Sequence, residues 1–174
     1  MSEPLVHLIC GSTGAGKSTY ALALCRDAGA VYFSIDEWMA SLFWMDAPKP
    51  IDGAWALARV ERCMTQIWTV AARVAERGVP VVLDFGFGTP ELRARFGDLA
   101  RDRGFAVRLH VLDVAAEERW RRVQARNAGA GETRHLDFAI TREMFDFVEA
   151  TWRAPDADEM TRYNGVRIEG GSQA

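Results

Sequence analysis

An apolar run, Leu5-Val6-His7-Leu8-Ile9-Cys10, leads directly into Gly11-Ser12-Thr13-Gly14-Ala15-Gly16-Lys17-Ser18 and then into a stretch of helical pattern. This succession meets every fixed position of G-x-x-x-x-G-K-[ST] in the strand, loop and helix context that the motif requires. Gly11, Gly14 and Gly16 free the backbone to curl, so that successive amides converge on a β-phosphate. Lys17 then reaches the β- and γ-phosphates, and the Ser18 hydroxyl takes Mg²⁺. The segment from Gly11 to Thr19 is therefore the expected binding loop for a nucleoside triphosphate and its Mg²⁺. The bland alternative, a glycine-rich turn between a strand and a helix, requires chance agreement at four positions.

The rest of the chain alternates strand and helix signals. Lys17 to Ala28 reads as a helix stopped by Gly29, and Ala30 to Ser34 as a short strand. A helical stretch from Ile35 to Met45 is broken by 46–53, which carries Pro48 and Pro50. Apolar residues at spacings of three and four then predict a helix from Ala54 to Arg77. Val79 to Asp84 is the next strand, and Thr89-Pro90 is an N-cap followed by proline at the first helical position, opening a helix that runs to about Arg103. Phe105 to Leu112 forms a strand ending in Asp113, Ala115 to Arg126 a helix, Ile140 to Trp152 another, and Val166 to Ile168 the last strand. Strands separated by helices of ten residues or more predict an α/β fold with a parallel sheet covered on both faces.

Length and charge narrow the function classes. The chain has 174 residues, 49 % of them hydrophobic, enough for one core, and we expect one domain over 1–170 followed by a flexible tail at 171–174. A net charge of −3 from 21 basic and 24 acidic residues, with no polybasic block, gives no reason to expect nucleic-acid or membrane attraction. Met1-Ser2-Glu3-Pro4 lacks a basic n-region, so neither a signal peptide nor a membrane span is expected, and the reading is a cytoplasmic protein. Cys10, Cys25 and Cys63 are widely spaced in apolar surroundings and read as small buried hydrophobes. His7 and His110 lie inside strand-like runs and read as core residues satisfied by hydrogen bonds.

Two carboxylates and a set of arginines are candidates for chemistry. Asp36 and Glu37 follow the second strand, and the carboxyl ends of strands in an open α/β sheet form the crevice beside the phosphate loop. A carboxylate there accepts a proton from an acceptor hydroxyl or orients Mg²⁺ through water; alternatively, Asp36 simply caps the helix that follows. Asp84 closes an apolar strand in the place where a carboxylate holds hydrated Mg²⁺ or binds substrate, and the residues alone leave open which of Asp36 and Asp84 is nearer the metal. Arg119, Arg122 and Arg126 recur at spacings of three and four and share a helix face, with Gly129, Gly131 and Arg134 beyond. Such cations stabilise charge on a transferred phosphoryl group, or form a solvated basic face. Trp38, Phe43, Trp44, Trp55 and Trp68 lie between the second and third strands, where rings line an acceptor cavity or fill a core. Arg93 and Arg95 are candidates for meeting an acceptor that itself carries phosphate.

With these pieces in order, the chain resembles the small P-loop kinases of the AAA-33 domain family, relatives of the zeta-toxin and chloramphenicol phosphotransferase group and, more distantly, of gluconate, shikimate and adenylate kinases. The resemblance runs from Leu5 to about Ile168. It rests on Val82-Leu83-Asp84-Phe85-Gly86-Phe87, on Leu112-Asp113-Val114 leading into Trp120 to Asn127, and on Ile140-Thr141-Arg142-Glu143-Met144-Phe145 ahead of Pro155 and Asp158-Glu159. It implies a P-loop NTPase fold of the nucleoside and shikimate kinase type, with five parallel strands in the order 2-3-1-4-5 and a lid around 122–137. It also implies ATP with Mg²⁺ as cofactors, Asp36 as the base for the acceptor hydroxyl, Lys17 and Ser18 on the nucleotide, and Arg122 and Arg126 as the lid arginines. The expected activity is transfer of the γ-phosphoryl of ATP to a hydroxyl of a small molecule such as a sugar, nucleoside or antibiotic. A nucleotide-dependent switch or RNA-associated ATPase with a macromolecular partner is the alternative, and oligomeric state is left open.

Overall fold

The computed structural model describes residues 5–129 and 139–169. Strands β1 (Leu5–Cys10), β2 (Val31–Ser34), β3 (Val81–Gly86), β4 (Ala106–Asp113) and β5 (Val166–Glu169) form one parallel sheet in the order β2-β3-β1-β4-β5. This is the order that the resemblance implies. Parallel neighbours need crossovers, and these contain helices α1 (Lys17–Ala28), α2 (Ile35–Leu42), α3 (Gly53–Ala75), α4 (Pro90–Asp102), α5 (Ala116–Asn127), α6 (Arg142–Thr151) and α7 (Ala157–Arg162).

Each face of the sheet buries its own apolar set. On one, Val81, Leu83 and Phe85 of β3 join Ile67, Trp68 and Ala71 of α3, Phe96 and Ala100 of α4, and Tyr163. On the other, Ile9, Val82 and Leu112 lie with Ala21 of α1 and, partly buried, Tyr20 and Tyr32. Alternation along β3 therefore directs Val82, and Asp84 two residues on, toward the α1 face. At the carboxyl end of β3 the pairing with β1 slips: Leu8 is opposite Leu83 but Cys10 is opposite Gly86, one residue more in β3 than in β1. Bulges of this kind recur beside functional sites, where they re-aim side chains.

The structure redraws several expected boundaries. The helix expected from Ile35 to Met45 ends at Leu42 and gives way to a 3-10 turn over Trp44–Asp46. β3 starts two residues later than expected and continues past Asp84 to Gly86, so Asp84 lies within the strand. Helix α7 was not expected; its six residues are too few for periodicity to show. Its signal is a reciprocal capping box, in which Asp156 accepts from the Glu159 amide and Glu159 accepts from the Asp156 amide. The Thr89 cap and Pro90 of α4 lie where the sequence indicates.

Cys10 and Cys63 are buried, Cys25 is only half-buried, and all three are free thiols. His7 Nδ1 and His110 Nε2 are 2.8 Å apart in the core, and the Tyr20 hydroxyl meets His110 Nδ1 at 2.8 Å. Burial lowers the pKa of His7 to about 4 and that of His110 to about 3, so both rings are neutral; they lie in the core as expected, but His7 Nε2 has no hydrogen-bond partner among the described residues, so the expected satisfaction by hydrogen bonds is met only in part. No helix among the described residues is long and apolar enough to cross a membrane.

Candidate functional site

The phosphate loop takes the backbone form that its glycines permit. Gly14 and Gly16 have φ of 80° and 88°, and a Cβ on Gly14 would stand 2.5 Å from the Arg119 carbonyl oxygen. The loop is tied down by Gly11 N donating to Gly86 O at 3.1 Å and Ala15 N to Ser12 O at 3.2 Å. Gly16 is the N-cap of α1 and offers no side chain to its first amides. Those amides, with the positive end of the helix, form an anion site. The Lys17 ammonium lies back over the loop, 3.2 Å from Ser12 O. Ser12 and Ala15 are buried, Thr13 is half-buried, and Thr19, in the first turn of α1, is exposed.

Asp84 stands beside this loop and is 5 % exposed. Its Oδ2 accepts from the Ser18 hydroxyl at 2.9 Å and from the Tyr32 hydroxyl at 2.9 Å. A hydroxyl and a carboxylate next to a phosphate cradle are hard oxygen donors of the kind Mg²⁺ takes when most of its shell comes from phosphate and water. The pair fits that ion, and among the described residues no group of three or more His, Cys, Asp or Glu offers a different metal site. Burial, then the neighbouring Asp84 carboxylate, pushes the Tyr32 phenol well above its ordinary range, against the pull of the Ser18 and Ser34 hydroxyls.

Asp36 is exposed in the first turn of α2, with Glu37 beside it. The helix is capped by Ser34, whose hydroxyl accepts from Glu37 N at 3.3 Å, so capping is not the role of Asp36. Ser34 pairs in register with Asp84, which brings Asp36 to the same carboxyl edge, one strand over from the loop side of β3.

The arginines expected on one face of α5 separate in depth. Arg119, 6 % exposed, donates to Val114 O at 2.8 Å and Thr13 O at 3.2 Å and forms a two-pronged ion pair with Glu149 of α6 at 2.6 and 2.7 Å. The Ser12 hydroxyl donates to the same carboxylate. Arg119, then Ser12, holds the Glu149 carboxyl below its ordinary range. Arg122 pairs with Glu118 at 2.8 Å while its guanidinium lies 3.8 Å from where a Cβ of Gly16 would be, over the phosphate loop. Arg126 is half-buried, with Nη2 lacking a hydrogen-bond partner among the described residues. Beyond it, the Asn127 side chain exchanges hydrogen bonds with the Ile140 backbone. Gly131, Arg134, most of the expected lid segment and the tail at 171–174 lie outside the described residues.

Helix α2, the 3-10 turn after it and the start of α3 carry aromatic side chains. Trp44 and Trp55 have ring centroids 6.1 Å apart, and the Arg59 guanidinium stacks 4.0 Å over Trp55. Trp38, Phe43 and Trp44 are half-buried against the core, whereas Trp68 is buried edge-on to Phe96 and is a core ring. The expectation that Arg93 meets an acceptor phosphate is overturned. Arg93 is fully buried, pairs with Glu159 at 2.7 Å, and donates to Phe87 O and Arg153 O. Arg95 pairs with Glu61 on the surface.

Two polar residues of this site escaped the sequence reading. Tyr32 had a signal: strand alternation puts it on the face that also carries Val82 and Asp84 of the neighbouring strand. Glu149 had none, because its contact with Ser12 spans 137 residues.

The AAA domain family (AAA_33) matches residues 6–151, and the chain belongs to that family. No curated protein matches the sequence. Among solved structures, a protein from Chloroflexus aurantiacus described as a candidate kinase superposes with a TM-score of 0.70 at 15 % identity, covering 98 % of this chain and 87 % of that one. The APS kinase of Mycobacterium tuberculosis, solved with AMPPNP and APS, superposes with a TM-score of 0.64 at 17 % identity, covering 99 % and 92 %. A chain of the Pnkp1/Rnl/Hen1 RNA repair complex gives a TM-score of 0.62 at 18 % identity; the match covers 87 % of this chain but only 44 % of that one. At these identities the likeness is one of fold.

Proposed function

From membership in that family and the geometry of the loop, we propose that the protein transfers the γ-phosphoryl of ATP to a hydroxyl of a small molecule. The observation that carries the reading is the convergence of Ser18 and Asp84 beside the phosphate loop, with Asp36 on the same edge one strand away. In this reading the loop amides from Gly11 to Thr19 and Lys17 hold the β- and γ-phosphates, and Ser18 and Asp84 hold Mg²⁺. When bound, Mg²⁺ neutralises charge on the β- and γ-phosphate oxygens. Asp36 takes the proton of the acceptor hydroxyl as its oxygen bonds to phosphorus and the bond to the β-phosphate oxygen breaks, so that ADP leaves. Arg122 and Arg126 stabilise charge on the phosphoryl group in transit.

Residues 1–170 then act as one kinase domain with a lid around 122–137. Kinship with the zeta-toxin and chloramphenicol phosphotransferase group belongs to the same proposal. The test is ³¹P NMR and mass spectrometry of purified protein with ATP, Mg²⁺ and a pooled library of sugars, UDP-aminosugars, nucleosides and hydroxylated antibiotics including chloramphenicol. Lys17→Ala is the control. One acceptor gaining a single phosphoryl group with the wild-type chain alone is the expected result. ATP binding with no phosphorylated acceptor across the library would overturn it in favour of a nucleotide switch or an ATPase with a macromolecular partner.

A further inference from the structure

Ser18 is a fixed position of the phosphate-loop motif, but the second donor on Asp84 Oδ2 belongs to no motif. Tyr32 comes from β2, the edge strand. Its ring is partly buried against the smaller core under α1, and its hydroxyl ends 2.9 Å from the same oxygen that Ser18 reaches. Two O–H donors on one carboxylate oxygen restrict rotation of the carboxylate, which a single donor does not. A partly buried tyrosine with its hydroxyl on a carboxylate beside a metal-type serine has the arrangement of an outer-shell partner that orients a ligand without touching the ion.

We propose that Tyr32 is a positioning residue for the metal carboxylate. By donating to Asp84 Oδ2 it holds the carboxylate in the orientation that also receives Ser18, and it thereby sets the Mg²⁺ affinity of the nucleotide-bound protein. The proposal rests on the reading of Ser18 and Asp84 as the Mg²⁺ residues, and it concerns this chain's own tyrosine, which the phosphate-loop motif does not include.

The experiment is calorimetric titration of ADP into the full chain, with EDTA and over a Mg²⁺ series, for wild type, Tyr32→Phe, Ser18→Ala and Asp84→Asn, with thermal melting of each. Tyr32→Phe keeps the ring and removes only the donor. The expected result is unchanged ADP affinity in EDTA and a Mg²⁺ midpoint raised about tenfold. A Tyr32→Phe midpoint equal to wild type overturns the proposal, including the case in which only the melting temperature falls, because that is a merely structural tyrosine. If Ser18→Ala and Asp84→Asn also leave the midpoint unmoved, the Mg²⁺ reading itself has failed. A shift in those two with none in Tyr32→Phe leaves that reading standing and removes Tyr32 from it. Mn²⁺ binding followed by electron paramagnetic resonance supplies a second readout independent of turnover.

Discussion

The half of the carboxyl edge around β1, β3 and α5 is tied together by charged and polar contacts, whereas the half between β2 and α3 is packed from rings. On the first side Ser12, Thr13 O, Arg119 and Glu149 form one network, and Ser18, Asp84 and Tyr32 another. On the second, Phe43, Trp44 and Trp55 lie with Arg59 stacked over Trp55, and Leu42, Met45, Ile51 and Leu57 are exposed around them. A phosphate group is the same in every nucleotide, so the device that holds it is a fixed geometry of directional bonds. An acceptor differs from one enzyme to the next, and an aromatic wall discriminates by shape and apolar area, which sequence motifs do not encode.

Substitutions separate the two halves if this contrast is correct. Lys17→Ala is expected to have the largest effect, lowering ATP-supported turnover on the order of 10³-fold while thermal melting stays near wild type, since among the described residues the amine donates a hydrogen bond to Ser12 O alone. Asp36→Asn comes next: steady-state kinetics should show turnover down by about 10² or more, with ADP affinity by calorimetry unchanged. Loss of ADP affinity in Asp36→Asn would break the contrast, because a residue on the acceptor side would then be holding nucleotide. Glu149→Gln keeps the shape but removes the charge facing Arg119, and leaves a buried guanidinium without its carboxylate. The expected outcome is ADP affinity about tenfold weaker and acceptor KM unchanged, the mirror image of a lesion on the aromatic side.

How much of this was readable follows the same division. The loop from Gly11 to Ser18, the strands and Asp84 were legible because each is a local pattern: a motif of eight residues, or an alternation of apolar side chains. The strand order was legible only through family resemblance. What the pattern hid depends on pairing. The end of β3 was expected at Asp84, while in the fold Gly86 still pairs with Cys10 of β1, a contact that no local pattern marks. The arginines looked alike as helix positions, but tertiary packing buries Arg119 against Thr13 O and Glu149 while leaving Arg122 over the loop. Arg93 read as a candidate for an acceptor phosphate because the sequence contains no sign of Glu159 arriving from 66 residues away.

The aromatic half offers the smallest and most discriminating effect. Trp55 has its face covered by the Arg59 guanidinium, which also donates to Trp55 O at 3.0 Å, so this cation is already engaged by a ring and a carbonyl. Arg93 and Arg95 are engaged by Glu159 and Glu61. With these three arginines engaged by the protein itself, the proposed acceptor side offers rings and exposed apolar side chains, which under the proposed function suits a neutral alcohol with a hydrophobic body better than a phosphorylated one. Trp55→Ala removes ring area worth about 1 kcal/mol in a stacking contact. It should raise acceptor KM by about fivefold and leave ATP KM unchanged, with Trp55→Phe recovering most of the loss. A rise in ATP KM alone would place the nucleotide, not the acceptor, on the aromatic side and reverse the assignment of the two halves. Equal kinetics in wild type and Trp55→Ala would instead make Trp55 part of the packing between α2 and α3, and leave acceptor selection to Trp38, Phe43 and Trp44.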